Sequence, residues 1–171
     1  MKENFNRSLG FVLKSEGLWS DDNKDPGGAT MKGITLQVYR EWKKDIEITK
    51  EQLRNISDQE VQDLYRQLYW NKIYADNLPT GLDYALFDAS VNMGVLRASC
   101  LMQKTIGVTQ DGSIGPKSLS AIQAFDPKDL LEKFSTTKEI FYKGLKLFPV
   151  FGKGWLMRVG QVKANALTML G

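Results

Sequence analysis

Histidine is absent from the 171 residues of the chain. The Ser-His-Asp and Cys-His triads of common hydrolases, and most zinc sites, need histidine, so the sequence excludes them. Any hydrolytic chemistry must therefore rest on carboxylates, on hydroxyls or on a metal site built from oxygen ligands alone. We predict that the chain works without a metal and without a cofactor.

Cysteine and long apolar runs are almost as scarce. The single cysteine, Cys100, excludes an internal disulfide framework. The apolar run at residues 9–13 is too short for the core of a signal peptide or for a membrane span. We therefore expect a protein that is made in the cytoplasm without a signal peptide and does not insert stably into a membrane.

Charge is nearly balanced, because 23 basic residues stand against 20 acidic ones and leave a net charge of +3. This small excess mildly favours an anionic partner such as nucleic acid, acidic lipid or the bacterial cell wall. The basic residues are spread along the chain and form no known nucleic-acid motif. We therefore predict that nucleic acid is not the partner.

Most of the chain carries apolar residues at helical spacing, whereas residues 20–35 have the turn residues and short alternations of β structure. Ile34, Leu36 and Val38 alternate and predict a short strand that runs into a helix. The S-x-x-E sequence from Ser57 to Glu60 predicts a capped helix start. We predict an α+β fold that is mostly helical, with one small β element early in the chain.

A buried helical stripe leads to the first candidate site residue, Glu16. Phe5, Leu9, Val12 and Leu13 line one helix face, and Glu16 lies at the edge of that face. Because burial disfavours a charged carboxyl, we expect Glu16 to hold a proton that it can donate. A solvated glutamate at a helix end is the alternative interpretation of the same stripe.

A turn-rich segment follows the acid. Asp25-Pro26-Gly27-Gly28 has the composition of a tight turn, in which proline fixes one φ angle and glycine permits a positive one. A hairpin here would bring Asp25 back towards Glu16, nine residues before it. Turn capping is the alternative role for Asp25.

The most apolar helix is predicted to end at Gly94 and carries two polar residues on one face, Asp88 and Asn92. Polar groups in such a helix need partners. They either brace the fold or line a cleft, and the sequence leaves both roles open. Aromatic residues nearby, including Trp70 and Tyr74, either belong to the core or stack on a sugar ring.

Together these residues resemble glycoside hydrolase family 108 lysozymes, the endolysin-like N-acetylmuramidases of phages and bacteria. The family's E-G-G-Y, D-P-G-G-x-T and G-I-T motifs correspond to Glu16-Gly17-Leu18-Trp19, Asp25-Pro26-Gly27-Gly28-Ala29-Thr30 and Gly33-Ile34-Thr35. Its F-D-x-x-V-N-x-G motif corresponds to Phe87-Asp88, Val91-Asn92 and Gly94. The later part looks like the peptidoglycan-binding region that follows this domain, with Gln103, Gly107-Val108, Asp111-Gly112, Ile114-Gly115-Pro116 and Leu119, and a late Gly154-Trp155 with Arg158-Val159.

The resemblance implies a lysozyme-like fold with a catalytic domain at residues 1–94 and a helical peptidoglycan-binding region at 95–171 packed on it. It implies Glu16 as proton donor, with Asp25 and Thr30 as further catalytic residues. Trp19, beside the acid, is assigned to substrate binding with Asp88 and Asn92. The main departures from the motifs are Leu18 and Trp19, which replace glycine and tyrosine.

The implied activity is cleavage of the β-1,4 bond between N-acetylmuramic acid and N-acetylglucosamine in peptidoglycan. We expect a monomer that reaches the periplasmic or cell-wall peptidoglycan only when a holin or another export partner releases it. The alternative function is a module that binds peptidoglycan without cleaving it.

Overall fold

The structure of the chain, a computed structural model, describes residues 2–21 and 28–171. It confirms the mostly helical α+β class with one small antiparallel sheet. The elements are α1 (Lys2–Ser15), β1 (Trp19–Ser20), β2 (Thr30–Met31), β3 (Ile34–Thr35), α2 (Leu36–Lys43), α3 (Lys50–Arg54), α4 (Asp58–Tyr65), α5 (Leu82–Met93), α6 (Val95–Ile106), α7 (Pro116–Gln123), α8 (Pro127–Lys143) and α9 (Phe148–Leu170). A π-helix (Arg66–Trp70) and two 3-10 turns (Asn71–Ile73 and Ala75–Asn77) join α4 to α5.

Contacts within the chain group into two compact units, Asn6–Leu68 and Met1–Phe5 with Tyr69–Gly171. The predicted domain boundary at residue 94 stays a prediction. None of the helices in residues 2–21 and 28–171 has both the length and the hydropathy of a membrane span.

The sheet of the Asn6–Leu68 unit has the strand order β1-β2-β3. Trp19 of β1 pairs with Met31, and Thr30 pairs with Thr35 of β3. The alternating pattern predicted a short strand that runs into a helix, and β3 ends at Thr35, where α2 begins. It ends there because the Thr35 side chain accepts a hydrogen bond from the backbone N–H of Val38 at 3.2 Å and so begins α2.

The predicted capping box at the start of α4 is confirmed. The Ser57 hydroxyl accepts a hydrogen bond from the Glu60 backbone N–H, and the Glu60 carboxylate accepts one from the Ser57 backbone N–H at 3.1 Å. Glu60 also accepts from the Tyr39 hydroxyl at 3.0 Å and forms an ion pair with Lys43 at 2.7 Å. One carboxylate therefore ties the start of α4 to two residues of α2.

Low pH should weaken the contacts that Glu60 makes between α2 and α4. The Lys43 ammonium, assisted by hydrogen bonds from Ser57, lowers the pKa of Glu60 from 4.5 to about 2. A carboxyl with a depressed folded pKa contributes stability above its unfolded pKa and loses it as the pH falls towards the folded value. We expect about 1 kcal/mol, allowing for solvent screening, to disappear between pH 4.5 and 2. The melting temperature of Glu60→Gln should lack this part of the pH dependence. A melting temperature that falls with pH in parallel with that of the parent would contradict the prediction.

The core of the second unit is built around α5, whose residues from Leu82 to Ser90 are all buried. Trp70 and Phe87 pack edge to face with ring centroids 5.3 Å apart, and Phe5 meets the Trp70 ring at 5.2 Å. Trp70 is fully buried, so it belongs to the core, whereas Tyr74 is 54% exposed. Helices α6, α8 and α9 pack against α5.

Proline residues mark where the last helices begin. Pro127 occupies the first turn of α8 after the capping residue Asp126. Pro149 lies in the first turn of α9. The first helical turn tolerates proline because its N–H groups have no partner inside the helix.

The Asp111-Gly112 turn is organised by one buried amide, that of Gln103 on α6. Gln103 Nε2 donates to Asp111 Oδ1 at 2.6 Å, to the Ser113 carbonyl at 3.0 Å and to the Ser118 hydroxyl at 3.2 Å. Its Oε1 accepts from the Gly112 N–H at 2.9 Å. These residues of the later motif therefore hold the loop between α6 and α7 in place, and peptidoglycan binding by residues 95–171 stays a prediction.

Candidate active site

Glu16 directly follows the last residue of α1, and its backbone N–H donates to the Val12 carbonyl at 3.2 Å. Val12 is fully buried, whereas Glu16 is half-buried. The stripe of apolar residues therefore places the carboxyl where the buried helix face meets solvent. A position of this kind suits a group that must exchange a proton with a bound molecule.

The turn between β2 and β3 packs against this carboxyl. Lys32 and Gly33 occupy the two turn positions with φ angles of 50° and 77°, the combination of a tight hairpin. A Cβ atom added to Gly33 would lie 3.0 Å from Cγ and from Oε2 of Glu16, and 2.6 Å from the Tyr65 hydroxyl oxygen. Glycine is thus required here both by the backbone angle and by the closeness of two side chains.

The Tyr65 side chain fixes the β2–β3 turn. Its ring is 1% exposed, and its hydroxyl donates to the Lys32 carbonyl at 2.8 Å. Tyr65 comes from α4, so three separate segments meet at the acid: the end of α1, the β2–β3 turn and α4. The sequence analysis did not predict this contact.

Replacing Gly33 by alanine should therefore disturb the acid more than the fold. The left-handed φ angle alone costs an alanine about 1–2 kcal/mol, and the added methyl group must also displace Tyr65 or Glu16. We expect Gly33→Ala to lose at least tenfold in the rate of any reaction that depends on the Glu16 carboxyl, beyond what its stability loss explains.

Gly107→Ala is the matched control, because Gly107 has a φ angle of 74° and nothing within 4 Å of an added Cβ. Adding Tyr65→Phe to Gly33→Ala removes the oxygen of the closest contact and should recover part of the rate. Equal melting temperatures and equal rates for Gly33→Ala and Gly107→Ala would contradict the packing role of Gly33.

The other predicted catalytic residues lie near this turn in sequence. Thr30, in β2, is half-buried, and its hydroxyl donates to the Gly28 carbonyl at 3.2 Å. Asp25 lies outside the described residues. The catalytic roles of Glu16, Asp25 and Thr30 stay predictions.

Trp19 is half-buried on β1, and the Arg54 guanidinium lies over its ring, 5.6 Å from the centroid. These two residues line a cavity of about 400 Å³ together with Lys50, Glu51 and Asn55. Lys50 also borders a second cavity, of about 810 Å³, that does not have Glu16 in its lining. Lys50 is paired with Asp21 at 2.8 Å, so the Arg54 guanidinium is the cation beside the indole, and substrate binding by Trp19 stays a prediction.

Asp88 lies inside the second unit. It is 1% exposed, and its Oδ1 accepts from Arg158 Nη2 at 2.9 Å and from Nε at 3.2 Å, while Lys138 Nζ lies 3.8 Å from Oδ2. Burial lowers the pKa of Lys138, and Asp88 opposes that shift. This geometry supplies fold support, one of the two roles that the sequence left open, and substrate binding by Asp88 stays a prediction.

Asn92, one turn further along α5, is exposed, and its Oδ1 accepts from the Tyr142 hydroxyl at 2.7 Å. Burial raises the pKa of Tyr142 to about 12, so that hydroxyl keeps its proton. The Tyr142 ring stacks on Trp155 with centroids 5.3 Å apart. The F-D-x-x-V-N motif of α5 and the G-W-x-x-R motif of α9 are therefore joined by direct contacts, and substrate binding by Asn92 stays a prediction.

A cluster of three or more aspartate, glutamate or cysteine side chains that is suited to a metal ion does not occur among the described residues.

Comparisons with known proteins support this architecture. The family model described as Glycosyl hydrolase 108 matches residues 9–94, which include Glu16, Gly33 and Tyr65. The solved structure of Brucella abortus SagA is similar over 99% of this chain and 97% of its own, with a TM-score of 0.88 and 36% sequence identity. No curated protein matches the chain. The chain belongs to glycosyl hydrolase family 108 and is a glycoside hydrolase.

Proposed function

We propose that the chain is an N-acetylmuramidase that cleaves the β-1,4 bond between N-acetylmuramic acid and N-acetylglucosamine in peptidoglycan. The observation that carries the proposal is the position of Glu16. This half-buried carboxyl is held between the end of a buried helix and a hairpin turn, with Gly33 packed against it. Membership of a glycosyl hydrolase family gives that carboxyl a glycosidic bond to act on.

In this mechanism Glu16 donates a proton to the glycosidic oxygen as the bond breaks, and the sugar develops oxocarbenium-like positive charge. Asp25 stabilises that charge or orients the attacking water, and Thr30 helps to hold the water. Asp25→Asn should then reduce turnover less than Glu16→Gln does.

Two features of the Asn6–Leu68 unit suit the acid's task. The Tyr65 hydroxyl is committed to the Lys32 carbonyl at 2.8 Å, which fixes the turn that lies against the carboxyl. The missing side chain of Gly33 lets backbone approach the acid closely. A donor held in one place loses little entropy when the substrate binds, and well-placed proton donation is worth about 100- to 10,000-fold in rate.

Recognition of the wall polymer is assigned to two regions. The Trp19 ring with Arg54 suits the carboxylate-bearing muramic acid, and residues 95–171 serve as a peptidoglycan-binding region. In the cell, a holin or another export partner releases the protein to the periplasmic or cell-wall peptidoglycan. It acts there as a monomer.

Reducing-end release from purified peptidoglycan tests the activity. The proposal predicts that new reducing ends accumulate in proportion to enzyme and time. A protein that sediments with peptidoglycan but releases no reducing ends would instead be the alternative, a binding module without catalysis. The two outcomes separate cleanly because binding and cleavage are measured on the same material.

A further inference from the structure

The first three turns of α9 have an outward face that is apolar. Leu147, Val150, Phe151 and Met157 are 57%, 70%, 52% and 69% exposed. These residues recur at the spacing of one helix face. A surface helix normally presents polar residues to solvent, so this face is unusual.

The inward face of the same turns packs against other side chains of the protein. Phe148 packs against Gly152, where an added Cβ would lie 2.5 Å from the ring, and Trp155 stacks on Tyr142. Further along the helix the outward face turns polar, and Gln161 there donates to Asn165 at 3.0 Å. The exposed apolar face is therefore confined to the beginning of α9.

The charge around this face has one sign. Between residue 140 and the last residue described, 171, the chain has five basic residues and no acidic one. Arg158 is paired with Asp88, Lys163 with Glu132 and Lys143 with Glu139. Lys146 and Lys153 are exposed and form no ion pair with any described residue. Lys146 directly precedes Leu147 in the turn before α9, and Lys153 lies two residues after Phe151, so the two lysines flank the apolar residues along the chain.

We propose that this surface, the α9 patch formed by Leu147, Val150, Phe151 and Met157 with Lys146 and Lys153, docks on a lipid bilayer with anionic headgroups. Apolar side chains enter the boundary between headgroups and acyl chains, while the two flanking lysines pair with lipid phosphates. The binding is peripheral, because α9 has no membrane-spanning stretch.

Charge complementarity selects the bilayer over a second copy of the chain. A second copy that met this patch with the same segment would bring no carboxylate from residues 140–171 to pair with Lys146 and Lys153. Four apolar side chains are also few beside the roughly 20–30 residues that each partner contributes to a stable interface. A lipid surface needs neither pairing carboxylates nor a large matched area.

Sedimentation with lipid vesicles tests the proposal on the full chain. The probes are vesicles of phosphatidylcholine with about one third phosphatidylglycerol, and vesicles of phosphatidylcholine alone. We expect binding to the anionic vesicles, weakening as salt is added, and much weaker binding to the neutral ones. Phe151→Ser should reduce binding by about tenfold, and Lys146→Gln with Lys153→Gln by about 25-fold.

Matched controls carry the same chemical changes elsewhere. Ile46→Ser removes another side chain that is 71% exposed, and Lys72→Gln with Lys104→Gln removes the same charge from another surface. Both controls should bind like the parent, and circular dichroism should show all variants folded. No vesicle binding, equal binding to neutral vesicles, or equal loss in the controls would overturn the proposal. A dimer seen by light scattering that Phe151→Ser dissociates would overturn it in favour of a second copy.

Discussion

Glu16→Gln should reduce the release of reducing ends from peptidoglycan by about 100- to 10,000-fold while the protein keeps its melting temperature. Glutamine has nearly the same shape as glutamic acid, so it can occupy the space beside Gly33. It has no acidic proton to give to the glycosidic oxygen. The loss should appear in kcat rather than in KM, because donation stabilises only the transition state.

Glu47→Gln is the matched control, since it makes the same change at an exposed glutamate of the same unit. It should leave turnover and melting temperature unchanged. Purified Glu16→Gln that digests peptidoglycan as fast as the parent would remove Glu16 from the mechanism. Loss of both folding and activity would show instead that the carboxyl is structural.

Asp88→Asn should destabilise the protein by about 3–5 kcal/mol, because it leaves the charges of Arg158 and Lys138 without a counterion. Lys138 is 3% exposed, so water cannot replace the lost carboxylate. A chain of this size should then melt about 10 °C lower.

Glu132→Gln provides the comparison for Asp88→Asn, because the Glu132–Lys163 pair has side chains that are 45% and 35% exposed. We expect that change to cost no more than about 1 kcal/mol. If Asp88→Asn kept its melting temperature but raised KM for peptidoglycan, the Asp88 carboxylate would be a substrate contact rather than a brace.

Local chemistry made several elements predictable. The S-x-x-E sequence at Ser57 predicted the start of α4, because both halves of the box are hydrogen bonds between residues three apart. The apolar stripe predicted α1 and placed Glu16 at its end. The spacing was informative because each signal, the capping box and the apolar stripe, lies within one helix or its cap.

Elements decided by competing local signals were predicted less well. The alternation at Ile34, Leu36 and Val38 did not locate the end of the short strand, which the Thr35 side chain sets by capping α2. A proline such as Pro149 has the same sequence pattern whether it breaks a helix or begins one. The structure shows that Pro149 lies in the first turn of α9. The capping box at Thr49, which begins α3, was not predicted.

Contacts between distant segments were beyond reach of the sequence alone. The Gly33 turn lies against Glu16 and the Tyr65 hydroxyl lies against that turn, from segments 17 and 49 residues beyond Glu16, so no local spacing indicates that they meet. The Asp88–Arg158 pair spans 70 residues. The family motifs marked Gly33, Asp88 and Arg158, and the structure supplies physical reasons for two of them: a close approach at Gly33 and a buried counterion at Asp88.

Mass analysis of the fragments released from purified peptidoglycan tests the central claim most directly. After borohydride reduction, the account predicts glycan fragments that end in reduced N-acetylmuramic acid, because the enzyme cuts on that side of the linkage. Fragments ending in reduced N-acetylglucosamine, or intact glycan chains with cut peptides, would contradict it.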